Sequence, residues 1–428
     1  MIDLNITMVD SGLFTELAVK LATQTSGKVR SWVPWEAEFP AVNDRMMGDG
    51  LGVIERIEDA LDPDVVDDTD LYVFPDIFRY GTQLTLERIG KLVWGSRKGD
   101  RLETERLMFR KLQEKLGLPV PEYTAVRGIS SLRDFLKDHG HCFVKTDPKI
   151  RGTMETWEHW DYEQSEYHLD NLAVKLGASK EIVLFMVEEP IETKFETGFD
   201  THSIDGQFSE TPIQGIEIKG HLIFCSAQIK GRTPPFIDKA MRALGPWLER
   251  RRYRNFMSAE FREDMLVDPC CRCPNPGIGC EMEMISNLGE IVEAGARGEL
   301  IEPDFEYEFG VQAAIFHDGS EDHWKQFRLE PEIRRWVKLM EFCQVGECYN
   351  IIPRPPHGKK IGWLVGVGNT IEEMTEHLQA NAKALKNYPF DIKTDALWEA
   401  LEQAKVAESE GIEFSDQPIP EPAEVIEG

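Results

Sequence analysis

Ser258-Ala259-Glu260-Phe261-Arg262 runs into the polar pair Glu263-Asp264 and returns as Met265-Leu266-Val267-Asp268-Pro269-Cys270-Cys271-Arg272. Apolar and polar residues alternate along both arms, which predicts a strand hairpin. Residues two apart in a strand share a face, so Glu260 and Arg262 point the same way. Asp268 then lies near the end of the returning arm. Two carboxylates across a hairpin make either a solvated charge cluster or an oxygen-ligand site for Mg2+. That ion keeps several waters and takes the rest of its shell from nucleotide phosphates. The choice between the two depends on what else the chain brings to the hairpin.

Two upstream stretches bear on it. Phe143-Val144-Lys145 is an apolar strand ending in a lysine, followed by the cationic, turn-rich loop Pro148-Lys149-Ile150-Arg151-Gly152-Thr153. An ammonium beside flexible backbone N–H groups suits polyphosphate, although a strand-end lysine in solvent has the same sequence. Leu184-Phe185-Met186-Val187-Glu188-Glu189-Pro190-Ile191 is a second apolar strand, ending in two carboxylates and a proline-constrained extended segment. Such a segment presents backbone groups to a planar ring, and Glu196 on the next strand can reach a ribose. Read alone, it is a strand with a charged end.

Residues 1–98 alternate short apolar runs with helical periods, the pattern of a parallel sheet with helices on its faces. The Gly12 region is not a GxGxxG fingerprint. Residues 102–116 predict one strong helix, ended by Gly117 and the Pro119/Pro121 pair. Ser130 and Ser131 are expected to cap a further helix. From 142 onward longer strands in antiparallel order predict α+β structure, with hairpin turns at Asp205-Gly206 and Lys219-Gly220. Residues 345–405 give one more strand pair and two helices. The segment 407–428 carries seven acids, no Lys or Arg and three prolines, and is expected to be a disordered acidic tail.

The 428 residues include 48 Lys+Arg against 76 Asp+Glu, a formal charge of −28. That field opposes a nucleic-acid-coating role and binding to anionic membranes. No run approaches the roughly 18 apolar residues of a membrane span, and the first residues lack a basic-apolar signal pattern, so the expected location is cytoplasmic. Eight cysteines in a chain of this length do not suggest a disulfide scaffold. Cys270, Cys271, Cys273 and Cys280 lack the paired CxxC spacing of structural zinc sites, and ordinary thiols are the expectation over zinc.

The order and spacing of these features resemble the ATP-grasp superfamily, and within it members like phosphoribosylamine–glycine ligase and carbamoyl-phosphate synthase. Val93-Trp94-Gly95, Leu102-Glu103-Thr104-Glu105-Arg106 and Gly117-Leu118-Pro119-Val120-Pro121 look like the family's lead-in, Phe143-Val144-Lys145 its phosphate-contacting strand, and Val187-Glu188-Glu189-Pro190-Ile191 its adenine segment. Val267-Asp268-Pro269-Cys270-Cys271-Arg272 sits where the family has a metal carboxylate, an Asn two residues on, and an arginine. The likeness spans roughly 90–300. It implies a Rossmann-like pre-ATP-grasp domain over 1–98, a two-lobed ATP-grasp fold with a small lobe over 99–192 and a large lobe over 193–320, and a small C-terminal α/β extension over 321–406.

The resemblance also implies roles. Arg106, Lys145 and Arg151 would hold the ATP phosphates, Glu188, Glu189 and Ile191 the adenine, and Glu196 the ribose. Glu260 and Asp268 would bind Mg2+, Arg262 and Arg272 would neutralise the substrate carboxylate or an acyl phosphate, and Lys230 and Arg232 would form a substrate loop. The implied activity is ATP- and Mg2+-dependent joining of a carboxylate to an amine through an acyl phosphate. The alternative is a non-catalytic ATP-binding protein of regulatory or structural kind. The implied partners are small molecules, and many relatives are homodimers. Three departures stand out: Arg106 replaces the usual Lys, the loop has a single glycine, and Cys270 stands at the metal-site Asn position. A thiol is a poor Mg2+ ligand.

Overall fold

A computed structural model describes residues 1–33, 46–150, 156–193, 195–228, 230–353, 358–416 and 418–420. The amino-terminal part is a five-stranded sheet in the spatial order Glu55–Arg56, Val29–Trp32, Ile6–Val9, Leu71–Val73, Leu92–Trp94. Every pairing is parallel, which requires crossovers and buries both faces. Ile6, Met8, Leu71 and Val73 accordingly have no measurable exposure. Helix Thr15–Ala22 follows the first strand and packs Leu17, Ala18 and Leu21 inward.

Residues 102–116 do not form one helix. The chain breaks at Glu105 (φ −117°, ψ 78°) into Arg101–Thr104 and Arg106–Leu116. The break turns Glu103 and Arg106 into the interior, where both are buried. The second piece ends as expected on Gly117 at φ 68°, a left-handed cap that favours glycine.

Beyond it lies a four-stranded antiparallel sheet in the order Tyr123–Arg127, Leu184–Glu188, Cys142–Asp147, Thr156–His159. Helices Ile129–Lys137 and Tyr162–Leu176 cover one face through Leu132, Leu136, Val144, Leu169, Leu172 and Phe185. The expected Ser130/Ser131 cap is absent. The helix begins directly after Gly128 with no side-chain cap, and the Ser130 hydroxyl instead donates to Glu181 Oε1 at 2.9 Å.

The largest sheet has ten strands. Its main path runs Met265–Cys270, Arg254–Arg262, Glu196–Ile204, Ile213–Ile218, Leu222–Ala227, Phe309–Phe316, Lys360–Gly368, Val337–Leu339. Strands on both sides of residue 320 therefore share this sheet, with Phe309 opposite Gly368 and Ala313 opposite Leu364. Helices Ile371–Ala384 and Ala396–Ser409 pack on it.

The acidic carboxy-terminal segment corrects the composition-based expectation in its described part. The last helix runs through Ser409, and Ile412, Phe414 and Ile419 are buried. Ser226 Oγ donates to the Phe414 carbonyl at 2.6 Å, and the Phe414 ring lies 5.9 Å from that of Phe224. Apolar residues set between the acids anchor the segment to the large sheet, while Glu410, Glu413 and Asp416 are exposed. Residues 421–428 lie outside the described residues.

Candidate active site

The opening hairpin forms as read, with Arg254–Arg262 against Met265–Cys270 and Glu263 at φ 53° in the turn. Glu260 is directly opposite Asp268, at a register shift beside Phe261. Glu196 sits on the adjacent strand opposite Arg262, and Glu217 one strand further across the same sheet. These four carboxylates and Asp200 line one wall of a cavity of about 140 Å³. So many acids in one partly desolvated place disfavour full ionisation. Burial, with the neighbouring Asp268, Glu196 and Glu217, pushes the Glu260 carboxyl up to about 7 against the opposing pull of Lys219.

Lys219, in the turn after Ile213–Ile218, reaches into the cluster. Its ammonium is 2.9 Å from Glu196 Oε1, 3.2 Å from Glu217 Oε2 and 3.2 Å from Glu260 Oε1. Desolvation alone would lower its pKa, but the three carboxylates outweigh it and raise it well above the usual lysine value.

The facing wall is cationic. Lys149 pairs with Glu103 at 2.6 Å, and Arg272 Nε meets the same carboxylate at 3.0 Å. The Cys271 N–H also donates to Glu103, at 2.8 Å. Lys149 and Arg272 line the cavity. Behind them Lys145 holds Glu188 at 2.7 Å, and Arg110 holds the other oxygen of Glu188 at 2.6 Å. Arg110 also donates to the carbonyls of Leu266 (3.2 Å) and Val267 (2.7 Å), tying its helix to the strand that carries Asp268. Arg106 donates to the Thr146 carbonyl at 2.9 Å. Burial alone would raise the Asp268 carboxyl, yet Lys149, Lys145, Arg106 and Arg110 together hold it below the ordinary value. An acidic sheet face and a cationic helix-and-strand face thus meet across one cleft.

No family model and no curated protein sequence matches the chain. Solved structures do. Phosphoribosylamine–glycine ligase from Thermotoga maritima superposes with a TM-score of 0.64 at 15% identity, over 91% of this chain and 98% of that one. Biotin carboxylase from Campylobacter jejuni gives 0.61 at 12%, covering 91% and 93%. N5-carboxyaminoimidazole synthetase from Staphylococcus aureus, complexed with ADP, gives 0.59 at 11%, covering 89% and 97%. The chain has the ATP-grasp fold.

Within the ATP-grasp cleft, Glu196, Glu260, Asp268 and Arg272 line the cavity. Arg262 reaches its edge, pairing with Glu196 at 2.8 Å and lying 5.7 Å from the Phe143 ring of the small sheet. Glu188 is buried between two cations rather than open to solvent. Glu189 pairs with His139 at 2.8 Å, and its N–H donates to the Glu122 carbonyl. Ile191 follows in the extended segment after the strand. Arg151 lies outside the described residues. Lys230 and Arg232 are not among the cavity-lining residues: Lys230 pairs with Glu210, and Arg232 with Asp416 of the carboxy-terminal segment.

Three contributors to the ATP-grasp cleft escape the sequence reading. Arg110 stands one helical turn from Arg106, a spacing that places both on one face. Glu103 organises Lys149, Arg272 and Cys271. Lys219 reads in sequence as part of a turn. The cysteines are free thiols, with Cys271, Cys273 and Cys280 buried and Cys270 partly so. Among the described residues no group of three or more His, Cys, Asp or Glu is arranged to hold a metal ion.

The cross-strand carboxylates Glu260 and Asp268 still fit Mg2+, which takes one or two protein carboxylates and fills the rest of its shell with water and phosphate. The excess of partly desolvated negative charge that lifts Glu260 is what a divalent ion would offset. Cys270, two residues from Asp268 on the same strand, adds no hard donor. No described helix is long and apolar enough to cross a membrane.

Proposed function

We propose that the protein is an ATP- and Mg2+-dependent ligase that joins a carboxylate to an amine. One observation supports this above the rest: the Asp268 carboxylate, cross-strand from Glu260, faces cations of the opposite wall that outweigh its burial and hold it below its ordinary value. Lys149, and Lys145 and Arg106 behind it, would neutralise a triphosphate. The extended backbone from Glu188 to Ile191 would receive the adenine, and Glu196 would exchange Lys219 or Arg262 for ribose hydroxyls. Glu260 and Asp268 would hold Mg2+, which when bound supplies charge neutralisation to the phosphates.

In this reading a carboxylate oxygen of one substrate attacks the γ-phosphorus and the bond to ADP breaks. The amine nitrogen then attacks the acyl carbon, phosphate leaves, and the nitrogen gives up a proton. Arg262 and Arg272 would bind the carboxylate and the departing phosphoryl oxygens. Such chemistry is mainly positioning and electrostatic stabilisation, so no protein nucleophile is needed.

The test is ADP release with Mg2+ across a panel of carboxylate and amine pairs, with one pair expected to stimulate it. A second reading, a nucleotide binder without turnover, is favoured by two features: Lys219 already pairs with three of the cluster's carboxylates, and Cys270 stands beside them without a hard donor atom. Nucleotide-dependent thermal protection with no ADP from any pair would select that second reading.

A further inference from the structure

A second cavity of about 530 Å³ shares no lining residue with the nucleotide cleft. It lies between helix Thr15–Ala22, helix Pro331–Arg334 and strand Val337–Leu339. Lys20, Arg334, Arg335 and Lys338 line it, against two carboxylates, Glu16 and Glu283. In a chain of net charge −28, a cavity with positive charge in excess is a local inversion of the protein's field.

Three of the four cations are largely desolvated, and Arg335 is half-exposed. The side chains of Lys20, Lys338 and Arg334 are 16%, 9% and 19% exposed, and Glu283 is 3% exposed. Glu283 serves three cations: Lys338 at 2.6 Å, Arg335 at 2.7 Å and Lys20 at 3.9 Å. Arg334 is matched to Glu16 at 2.9 Å. One carboxylate among three cations leaves two positive charges uncompensated in the lining. Glu306 also acts on Lys20 and Arg335 from outside that lining. Burial, with Lys338 and Arg335 as like-charged neighbours, draws the Lys20 ammonium below its ordinary pKa despite Glu283. Desolvated surplus charge is costly unless a counter-charge enters.

The rest of the lining is not anion-specific. Val19, Leu51 and Val53 give apolar surface, and the Tyr349 ring completes one side. The volume lies within the roughly 300–1,000 Å³ of small-molecule sites, well above what a bare oxyanion needs. We infer that this cavity is a binding site, separate from the nucleotide cleft, for a small organic phosphate whose dianion meets Lys20, Arg335 and Lys338 while its carbon body lies on Val19, Leu51, Val53 and Tyr349. This assignment does not depend on the ligase reading.

Calorimetry with phenyl phosphate and inorganic phosphate as probes tests it. Phenyl phosphate is expected to bind with 1:1 stoichiometry and more tightly than inorganic phosphate. Binding should weaken at least tenfold in Lys338→Met and in Arg335→Gln, and change less than twofold in Lys145→Met, which alters the nucleotide cleft. Arg335 is half-exposed, so its variant is available should Lys338→Met fail to fold. Absence of binding, equal affinity for the two probes, or loss in Lys145→Met matching that in Arg335→Gln would each overturn the assignment.

Discussion

Replacing Lys145 with methionine probes the junction between fold and chemistry. The side chain is 14% exposed, and its ammonium lies 2.7 Å from Glu188. Methionine fills the same channel without charge, so the packing term stays small. Glu188 keeps Arg110 at 2.6 Å, and the loss is one charge-assisted hydrogen bond, about 1.5–3 kcal/mol of stability. Under the proposed function, nucleotide binding loses a comparable amount. A unit charge about 4 Å from a phosphate oxygen contributes about 4 kcal/mol at an effective dielectric near 20, and re-entry of water brings the expected loss to about 3 kcal/mol, roughly a hundredfold in affinity for a non-hydrolysable ATP analogue. The acid limb of stability should move too. Burial would raise the Glu188 carboxyl, but Lys145 and Arg110 outweigh it and hold it below the ordinary value. A depressed carboxyl stabilises above its unfolded-state pKa and loses that contribution as pH falls through the folded-state value. In Lys145→Met the folded-state value rises, so acid unfolding begins at higher pH. Calorimetric affinity and urea unfolding at neutral and acid pH measure both effects. An affinity within twofold of wild type would remove Lys145 from the phosphate site.

Three further outcomes follow from the same structure. Burial pushes Asp200 up to about 6 despite hydrogen bonds from Ser258 and Glu281, and burial beside Asp200 raises Glu281 as well. Raised carboxyls stabilise at low pH and lose that contribution as pH rises through the folded-state value, so Glu281→Gln should increase urea stability at about pH 8 and flatten its pH dependence; an unchanged slope would contradict this. At Gly295 an added Cβ would stand 2.3 Å from Trp94 Cζ3 and 2.6 Å from Ile204 Cδ1, so Gly295→Ala should lower the unfolding free energy by about 1–3 kcal/mol. Phe414 is 3% exposed, and Phe414→Ala should cost about 3–5 kcal/mol in the same assay, whereas a disordered tail would give no change.

The elements with strong local signals were legible. Period-2 alternation gave the hairpin and the shared face of Glu260 and Arg262, and Gly117 marked a helix end. Parallel strands showed as short apolar runs between helical periods. The failures share a cause, which is dependence on distant partners. The break at Glu105 is not a propensity effect; it places Glu103 against Lys149 and Arg272, 46 and 169 residues away. Lys219 gains its role from three strands that meet only in the folded sheet. In the carboxy-terminal segment, composition masked pattern: Ile412, Phe414 and Ile419 lie among acids, and their partners Phe224 and Ser226 are nearly two hundred residues upstream. Lys230 and Arg232 form a cationic loop in sequence, but their nearest carboxylates are Glu210 and Asp416.

The shared sheet on either side of residue 320 has a consequence for synthesis. A nascent chain that has emerged only that far presents Phe309–Phe316 as a bare edge of eight residues, because its partner Lys360–Gly368 has not yet been made. Unpaired strand edges recruit other strands. The large sheet is therefore closed late in synthesis, and fragments ending near residue 320 are expected to associate through this edge.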